Sequence, residues 1–187
     1  MATPELWIVR HGETEWSRVR KHTGRTDLPL TEAGERAAVA IAERLDGVHF
    51  DLVLASPLKR AWRTAELAGL SPSPEPRIQE WDYGEYEGRR TVDIREERPD
   101  WLVWEDSVPG GETIEQVAER ADQVIARVCA EASERALVVA HGHVLRILAL
   151  RWIGADPKLG RHLRLETAKI SVLGWDRGVP LIERWNT

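Results

Sequence analysis

Three apolar runs in this chain each end on residues that can bind or transfer an anion. Leu6-Trp7-Ile8-Val9 runs into Arg10-His11-Gly12-Glu13-Thr14. Asp51-Leu52-Val53-Leu54-Ala55 runs into Ser56-Pro57 with Arg60 close behind, and Ala136-Leu137-Val138-Val139-Ala140 runs into His141-Gly142-His143. The planar fork of arginine matches phosphate or carboxylate bidentately. A histidine beside it can serve as nucleophile, general base or metal ligand. Strands of an open α/β sheet deliver such residues to one edge, where ligands bind. Two guanidiniums and two imidazoles around one point suit a phosphoryl group. The chain has no Walker loop and no carboxylate cluster of the kind that marks a magnesium site. Protein cations would then supply the electrostatic stabilisation that a metal supplies elsewhere. Zinc is the competing use of the histidines, and the neighbouring arginines would repel it.

A proton donor is sought in Glu80-Trp81-Asp82-Tyr83-Gly84-Glu85-Tyr86-Glu87-Gly88, where carboxylates alternate with aromatics. A carboxyl group in a semi-apolar loop has a raised pKa and can protonate a leaving group near neutral pH. Spacing alone leaves Glu80, Asp82, Glu85 and Glu87 equivalent. Residues Glu13 to Pro29 lack periodicity and carry Ser17, Arg18, Arg20, Lys21, His22, Thr23 and Arg25. So long a loop in a compact domain is usually functional, and here it would gather an anion toward His11.

The elements that must hold these groups alternate strand and helix. Strand signals cover Glu5 to Val9, Asp51 to Ala55 and Ala136 to Ala140, with a short edge strand at Arg77-Ile78-Gln79. Thr31 caps a helix whose apolar stripe is Ala33, Ala37, Ala38, Ile41 and Leu45. Ser56 and Pro57 have the types preferred at a helix N-cap and first turn, which would place Arg60 in that turn and Thr64 one turn on. A helix N-terminus favours an anion, and Arg60 adds a full charge. Thr113 to Gln116 reads as a capping box opening a helix to about Ala132 that buries Val117, Ala121, Val124, Ile125 and Val128. The run after His143, Val144 to Ile153, is apolar nearly all round and belongs at the centre. Lys169 to Trp175 and Val179 to Trp185 close the sheet, and the edge so formed leaves monomer and homodimer both open.

With 187 residues, 42% of them hydrophobic, the chain fits one domain over 1–187, with a cap-like segment at about 81–110. A net charge of -5 argues against a nucleic-acid partner. The single cysteine, Cys129, excludes an internal disulfide framework and lies in a helical run as a core or boundary residue. No basic, apolar leader and no membrane-length apolar run is seen, so a cytoplasmic location without membrane contact is expected. Most of the nine tryptophans are expected in the core and the cleft wall.

In these residues the chain resembles the histidine phosphatase superfamily, in its phosphoglycerate-mutase-like branch. Arg10-His11-Gly12-Glu13-Thr14 matches the family signature. The likeness continues through Thr23-Gly24, Leu30-Thr31, Ser56-Pro57 with Arg60, Glu80 with Tyr83-Gly84 and Gly88, Gly111-Glu112-Thr113, and His141-Gly142. The resemblance implies a three-layer αβα sandwich around a mostly parallel sheet. It implies that His11 is a nucleophile that becomes phosphohistidine. Arg10, Arg60 and His141 would then hold the phosphoryl oxygens, and Glu80 would protonate the leaving oxygen. The scheme needs His11 neutral, His141 cationic and Glu80 protonated, with activity falling at high pH as Glu80 ionises. Ser17, Thr23, Gly24 and Gly142 line the expected substrate site, and Tyr83 and His143 are candidate contacts to a sugar. His143 could equally be a helix-start residue facing solvent. Neither cofactor nor metal is implied.

The mutases of this family carry a longer insertion before the Gly-Glu-Thr segment, with extra basic residues. Here Arg89 to Val108 fill that place, acidic and tryptophan-rich. This departure favours a phosphomonoesterase for small sugar phosphates or bisphosphates, similar to the sugar-bisphosphatase-like and acid-phosphatase-like members. A phosphoglycerate mutase is the alternative, and a non-catalytic phospho-ligand binder is a remote third.

Overall fold

A computed structural model describes residues 3–187. In chain order the elements are β1 (Glu5–Arg10), α1 (Glu15–Arg18), α2 (Glu32–Leu45), β2 (Leu52–Ala55), α3 (Lys59–Leu67), β3 (Ser73–Pro74), α4 (Thr91–Arg95), α5 (Ile114–Glu131), β4 (Arg135–Ala140), α6 (Gly142–Trp152), β5 (Ile170–Asp176) and β6 (Val179–Arg184). Short 3₁₀ segments lie at Pro76–Ile78, Gly84–Tyr86 and Pro157–His162. The six strands form one sheet in the order β3-β2-β4-β1-β5-β6. Strands β1 to β4 run parallel, while β5 and β6 add antiparallel.

Successive strand residues point to opposite faces, so each strand feeds two cores. Leu6, Ile8, Ala136, Val138 and Ala140 pack beneath α5 and α6, against Val117, Val124, Val144 and Leu148. Trp7, Val9, Leu137 and Val139 pack on the other face against Ile41 and Leu45 of α2 and Ala61 and Ala65 of α3. A strand covered on both faces needs an unbroken apolar run, which is why β4 reads as one. The mixed α/β sandwich and its six-stranded sheet agree with the expected fold.

Several local expectations are corrected. The edge strand is Ser73–Pro74, and Arg77-Ile78-Gln79 instead turn as a 3₁₀ segment and its cap. Proline suits the edge position because it has no N–H to pair. Ser56 is not the cap of α3; Leu58 is, and the Ser56 hydroxyl turns to His141 instead. The loop after His11 contains a short helix, α1, whose Thr14 cap forms a capping box with Ser17. On α2 the buried stripe uses Gly34 where Ala33 was expected; Ala33 is exposed. Gly34 lies against the loop after β1, and a side-chain carbon on either Gly12 or Gly34 would collide with the other segment's backbone. On α5, Ile114 and Ala118 join the buried face and Ile125 is only half-buried. The half-buried Cys129 sits at the edge of that core.

Within 81–110, Trp101, Val103, Trp104 and Val108 are buried and continuous with the α5–α6 core. Trp7, Trp81 and Trp152 are also buried, while Trp62 and Trp175 lie at core margins. Among the described residues, no helix is long and apolar enough to cross a membrane.

Candidate active site

The register of the central strands brings the histidines together. Arg10 pairs with Ala140 at the ends of β1 and β4, and the His11 N–H donates to the Ala140 carbonyl at 2.9 Å. The next residues, His11 and His141, therefore leave the sheet side by side, with ring centroids 5.2 Å apart. From the neighbouring strand, the Ser56 N–H donates to Val139 at 3.0 Å, which sets its hydroxyl 2.8 Å from His141 Nε2.

His11 is buried, and its Nδ1 lies 2.7 Å from the Gly12 carbonyl. Only an Nδ1–H can donate there, so the hydrogen-bond pattern assigns the lone pair to Nε2. Burial, then the charges of Arg60 and Arg10, hold the imidazole pKa well below its usual value. The ring is thus neutral, with a free nitrogen on the cavity side. Thr64 on α3 fixes the turn: its Oγ1 accepts the Gly12 N–H at 3.0 Å and donates to the Arg60 carbonyl at 2.7 Å.

Arg10 packs its guanidinium against Gly142 and donates from Nη1 to the Leu165 carbonyl at 2.5 Å. Its Nε is buried with no acceptor, alone among the described buried side-chain nitrogens and oxygens. A buried donor without a partner costs about 1–3 kcal/mol, which a bound anion would recover.

Arg60 is fully buried and does not line the cavity. Its Nη2 donates to the Thr23 and Gly24 carbonyls at 3.1 and 2.9 Å, and its Nη1 to Thr26 at 2.9 Å. Its Nε donates to His141 Nδ1 at 3.1 Å. That bond forces His141 into the Nε2–H tautomer, with Nε2 donating to Ser56. Burial and the Arg60 charge hold its pKa well below the usual value. The expected imidazolium at His141 is therefore corrected to a neutral ring.

Glu80 is also corrected. Burial raises its pKa, but hydrogen bonding at His143, its backbone N–H included, outweighs that and holds the carboxyl well below its usual range. Its carboxylate accepts N–H groups of Trp81 at 3.0 Å, His143 at 3.0 Å and Val144 at 2.9 Å. The last two open α6, so Glu80 caps that helix from outside and its charge complements the helix dipole.

A cavity of about 540 Å3 is lined by Arg10, His11, Ser17, Thr23, Glu80, Tyr83, Gly142 and His143, while Arg60 and His141 lie behind its wall. Gly24 is not on its wall; its carbonyl serves Arg60 and its N–H serves Glu87. The Ser17 hydroxyl is engaged by Thr14, and the Thr23 hydroxyl by the Lys21 carbonyl. Tyr83 is buried, and burial first raises its phenol pKa well above normal. Its hydroxyl is hydrogen-bonded to His143 Nδ1 at 2.7 Å, and the His143 ring lies against Trp104 at 5.0 Å rather than in solvent. Burial lowers His143 to about 4.

Sequence reasoning missed Arg146, Arg164 and Glu166 on the same wall. Arg146 follows His143 by one turn in the apolar run of α6, and a cation there, well ahead of Arg151 in the last turn, was the available signal. Its guanidinium lies over Trp104 at 4.6 Å and its pKa falls to about 10, chiefly by burial. Arg164 and Glu166 lie in an irregular segment and carried no signal. Among the described residues, no three His, Cys, Asp or Glu side chains come together as a metal site would need.

Residues 6–187 match the model of the histidine phosphatase superfamily (branch 1). The chain is 40% identical over 178 residues to an acid phosphatase of Mycobacterium tuberculosis, covering 93% of this chain and 88% of that one. It is 36% identical to the sedoheptulose 1,7-bisphosphatase of Saccharomyces cerevisiae, covering 88% and 72%. It is 32% identical to the probable phosphoglycerate mutase GpmB of Cronobacter sakazakii, covering 97% and 89%. The solved structure of the Mycobacterium tuberculosis open reading frame Rv3214 superposes with a TM-score of 0.92 at 37% identity, over 98% of this chain and 97% of that one. With nearly its whole length matched and its two histidines side by side at the sheet edge, the chain belongs to the histidine phosphatase superfamily.

Proposed function

We propose that this histidine phosphatase is a metal-independent phosphomonoesterase for small phosphorylated metabolites, sugar phosphates or bisphosphates, acting through a phosphohistidine at His11. The observation that carries the reading is the pairing of a neutral His11, its Nε2 lone pair free, with the unpartnered buried Nε–H of Arg10. One supplies the nucleophile and the other a donor for the phosphoryl oxygens.

In the first step His11 Nε2 attacks phosphorus in line and the bond to the leaving oxygen breaks. Glu80 is ionised in the free site, so the required proton enters with the substrate as its monoanion. Beside the phosphoryl charge Glu80 takes that proton and passes it to the departing alkoxide. In the second step the Glu80 carboxylate takes a proton from water, whose oxygen attacks phosphorus as the N–P bond breaks. Glu80 passes that proton to the departing phosphate, so neutral His11, ionised Glu80 and inorganic phosphate result. Arg60 acts from behind: burial and then its charge keep both imidazoles neutral, and its fork holds the 23–26 loop.

Arg20, Lys21, Arg146 and Arg164 on the cavity wall support a substrate with more anionic charge than one phosphate. Relatives named as an acid phosphatase and a sugar bisphosphatase support hydrolysis. The test is a panel of sugar phosphates, sugar bisphosphates and 3-phosphoglycerate. Release of inorganic phosphate is expected. Isomerisation of 3-phosphoglycerate without phosphate release would overturn the reading in favour of a mutase. Unchanged turnover in His11→Ala would overturn the mechanism.

A further inference from the structure

We propose that Arg120 and Glu112, which lie outside the cavity, form a clamp that positions Glu80 for proton transfer. The inference rests on the reading of Glu80 as the acid. The segment around Glu80 has little regular structure of its own, a 3₁₀ turn at Pro76–Ile78 before it and another at Gly84–Tyr86 after it. Something else must fix its path.

Arg120 on α5 does so with all of its guanidinium donors. Nη1 donates to the Arg77 carbonyl at 2.8 Å and the Gln79 carbonyl at 2.6 Å. Nη2 donates to the carbonyl of Glu80 itself at 3.2 Å and to Glu112 Oε2 at 2.9 Å, and Nε donates to Glu112 Oε1 at 2.8 Å. Glu112 continues the grip past Glu80. Its Oε2 accepts the Asp82 N–H at 2.9 Å, its carbonyl accepts Trp81 Nε1 at 2.8 Å, and its N–H donates to the Asp82 carbonyl at 3.0 Å. The main chain is therefore held on both sides of Glu80. The Glu80 carboxylate is separately tied to the first N–H groups of α6.

Both clamp residues are largely buried, at 15% and 19% side-chain exposure, and neither lines the cavity. They are positioning residues that act through Glu80. The planar fork serves three carbonyls and a carboxylate at once, which a lysine ammonium cannot do. A small displacement of an acid from its leaving group is expensive, since about 1 Å of misplacement can cost on the order of 100-fold in rate.

The test compares kcat/KM for glycerol 2-phosphate, whose alkoxide leaves only with a proton, and 4-nitrophenyl phosphate, whose phenolate leaves without one. The ratio is measured in wild type, Arg120→Lys, Glu112→Gln and Glu80→Gln. Because both substrates see the same enzyme, the ratio is independent of the fraction folded. Arg120→Lys is expected to lose about 10- to 100-fold on the alkyl substrate and about threefold or less on the aryl one. Glu112→Gln, which keeps its size, is expected to bias the ratio in the same direction and stands in if Arg120→Lys does not fold. Glu80→Gln sets the full size of the bias. Equal losses on both substrates in the clamp variants, with the bias intact in Glu80→Gln, would overturn the clamp. Equal losses in Glu80→Gln itself would overturn the assignment of the acid, and the clamp with it.

Discussion

The Nε–H of Arg60 points at Nδ1 of His141, 3.1 Å away, and that bond decides the charge of the second histidine. An imidazolium has no lone pair to accept it. The site is therefore built from fixed arginine charges and two neutral rings. Arg60→Lys would leave the Thr23, Gly24 and Thr26 carbonyls underserved and free His141 to protonate. We expect at least about 100-fold loss of kcat/KM and faster amide exchange across 23–26. Hydrogen exchange and kinetics on the same preparation check both; an unchanged exchange pattern would contradict the placement of Arg60.

The upper limb of the pH profile should belong to the substrate. Glu80 lies well below its usual range and His11 well below its own, so in the free enzyme neither titrates between about pH 7 and 8. A phosphate monoester loses its second proton near pH 6, and kcat/KM should fall about tenfold per unit above that pKa. The inflection should shift with substrates of different second pKa. A limb fixed at one pH for every substrate would return the titration to the enzyme.

Stability should fall on the acid side through His22. Burial is the main cause that lowers it to about 4 from an unfolded value of 6.5. Above pH 6.5 it is neutral in both states and contributes nothing. Below that the unfolded chain binds a proton that the folded site does not, and the penalty grows until about pH 4. The full loss is roughly 3 kcal/mol at about 1.4 kcal/mol per unit. Urea melts at pH 7 and pH 5 should show His22→Gln with the flatter dependence.

Chelation should be without effect. Dialysis against EDTA is expected to leave kcat/KM unchanged, because Arg10 and its neighbours supply the charge. Loss restored by zinc or magnesium would contradict metal independence.

Much of this was legible in the sequence. The three apolar runs give β1, β2 and β4, because a parallel central strand has no polar face to disguise it. The capping box at Thr113 marked the start of α5 within a residue. The protonation states were not legible. Glu80 reads as an acid in an aromatic loop, and only the fold shows it capping α6. His141 reads as a cation until Arg60 is seen to donate to it. Arg120 escaped notice because a charged residue on a helix looks like surface, and Glu112 stood out only within the Gly111-Glu112-Thr113 likeness, with no role attached. Arg120 reaches backbone carbonyls some 40 positions away and Glu112 accepts the Asp82 N–H 30 positions away, which no local pattern encodes.

The covalent step at His11 is the most direct test. Enzyme mixed with phosphorus-labelled substrate and quenched in base should carry acid-labile, base-stable label on the peptide containing His11, and His11→Asn should carry none. Label on another residue, or steady turnover by His11→Asn, would contradict the account.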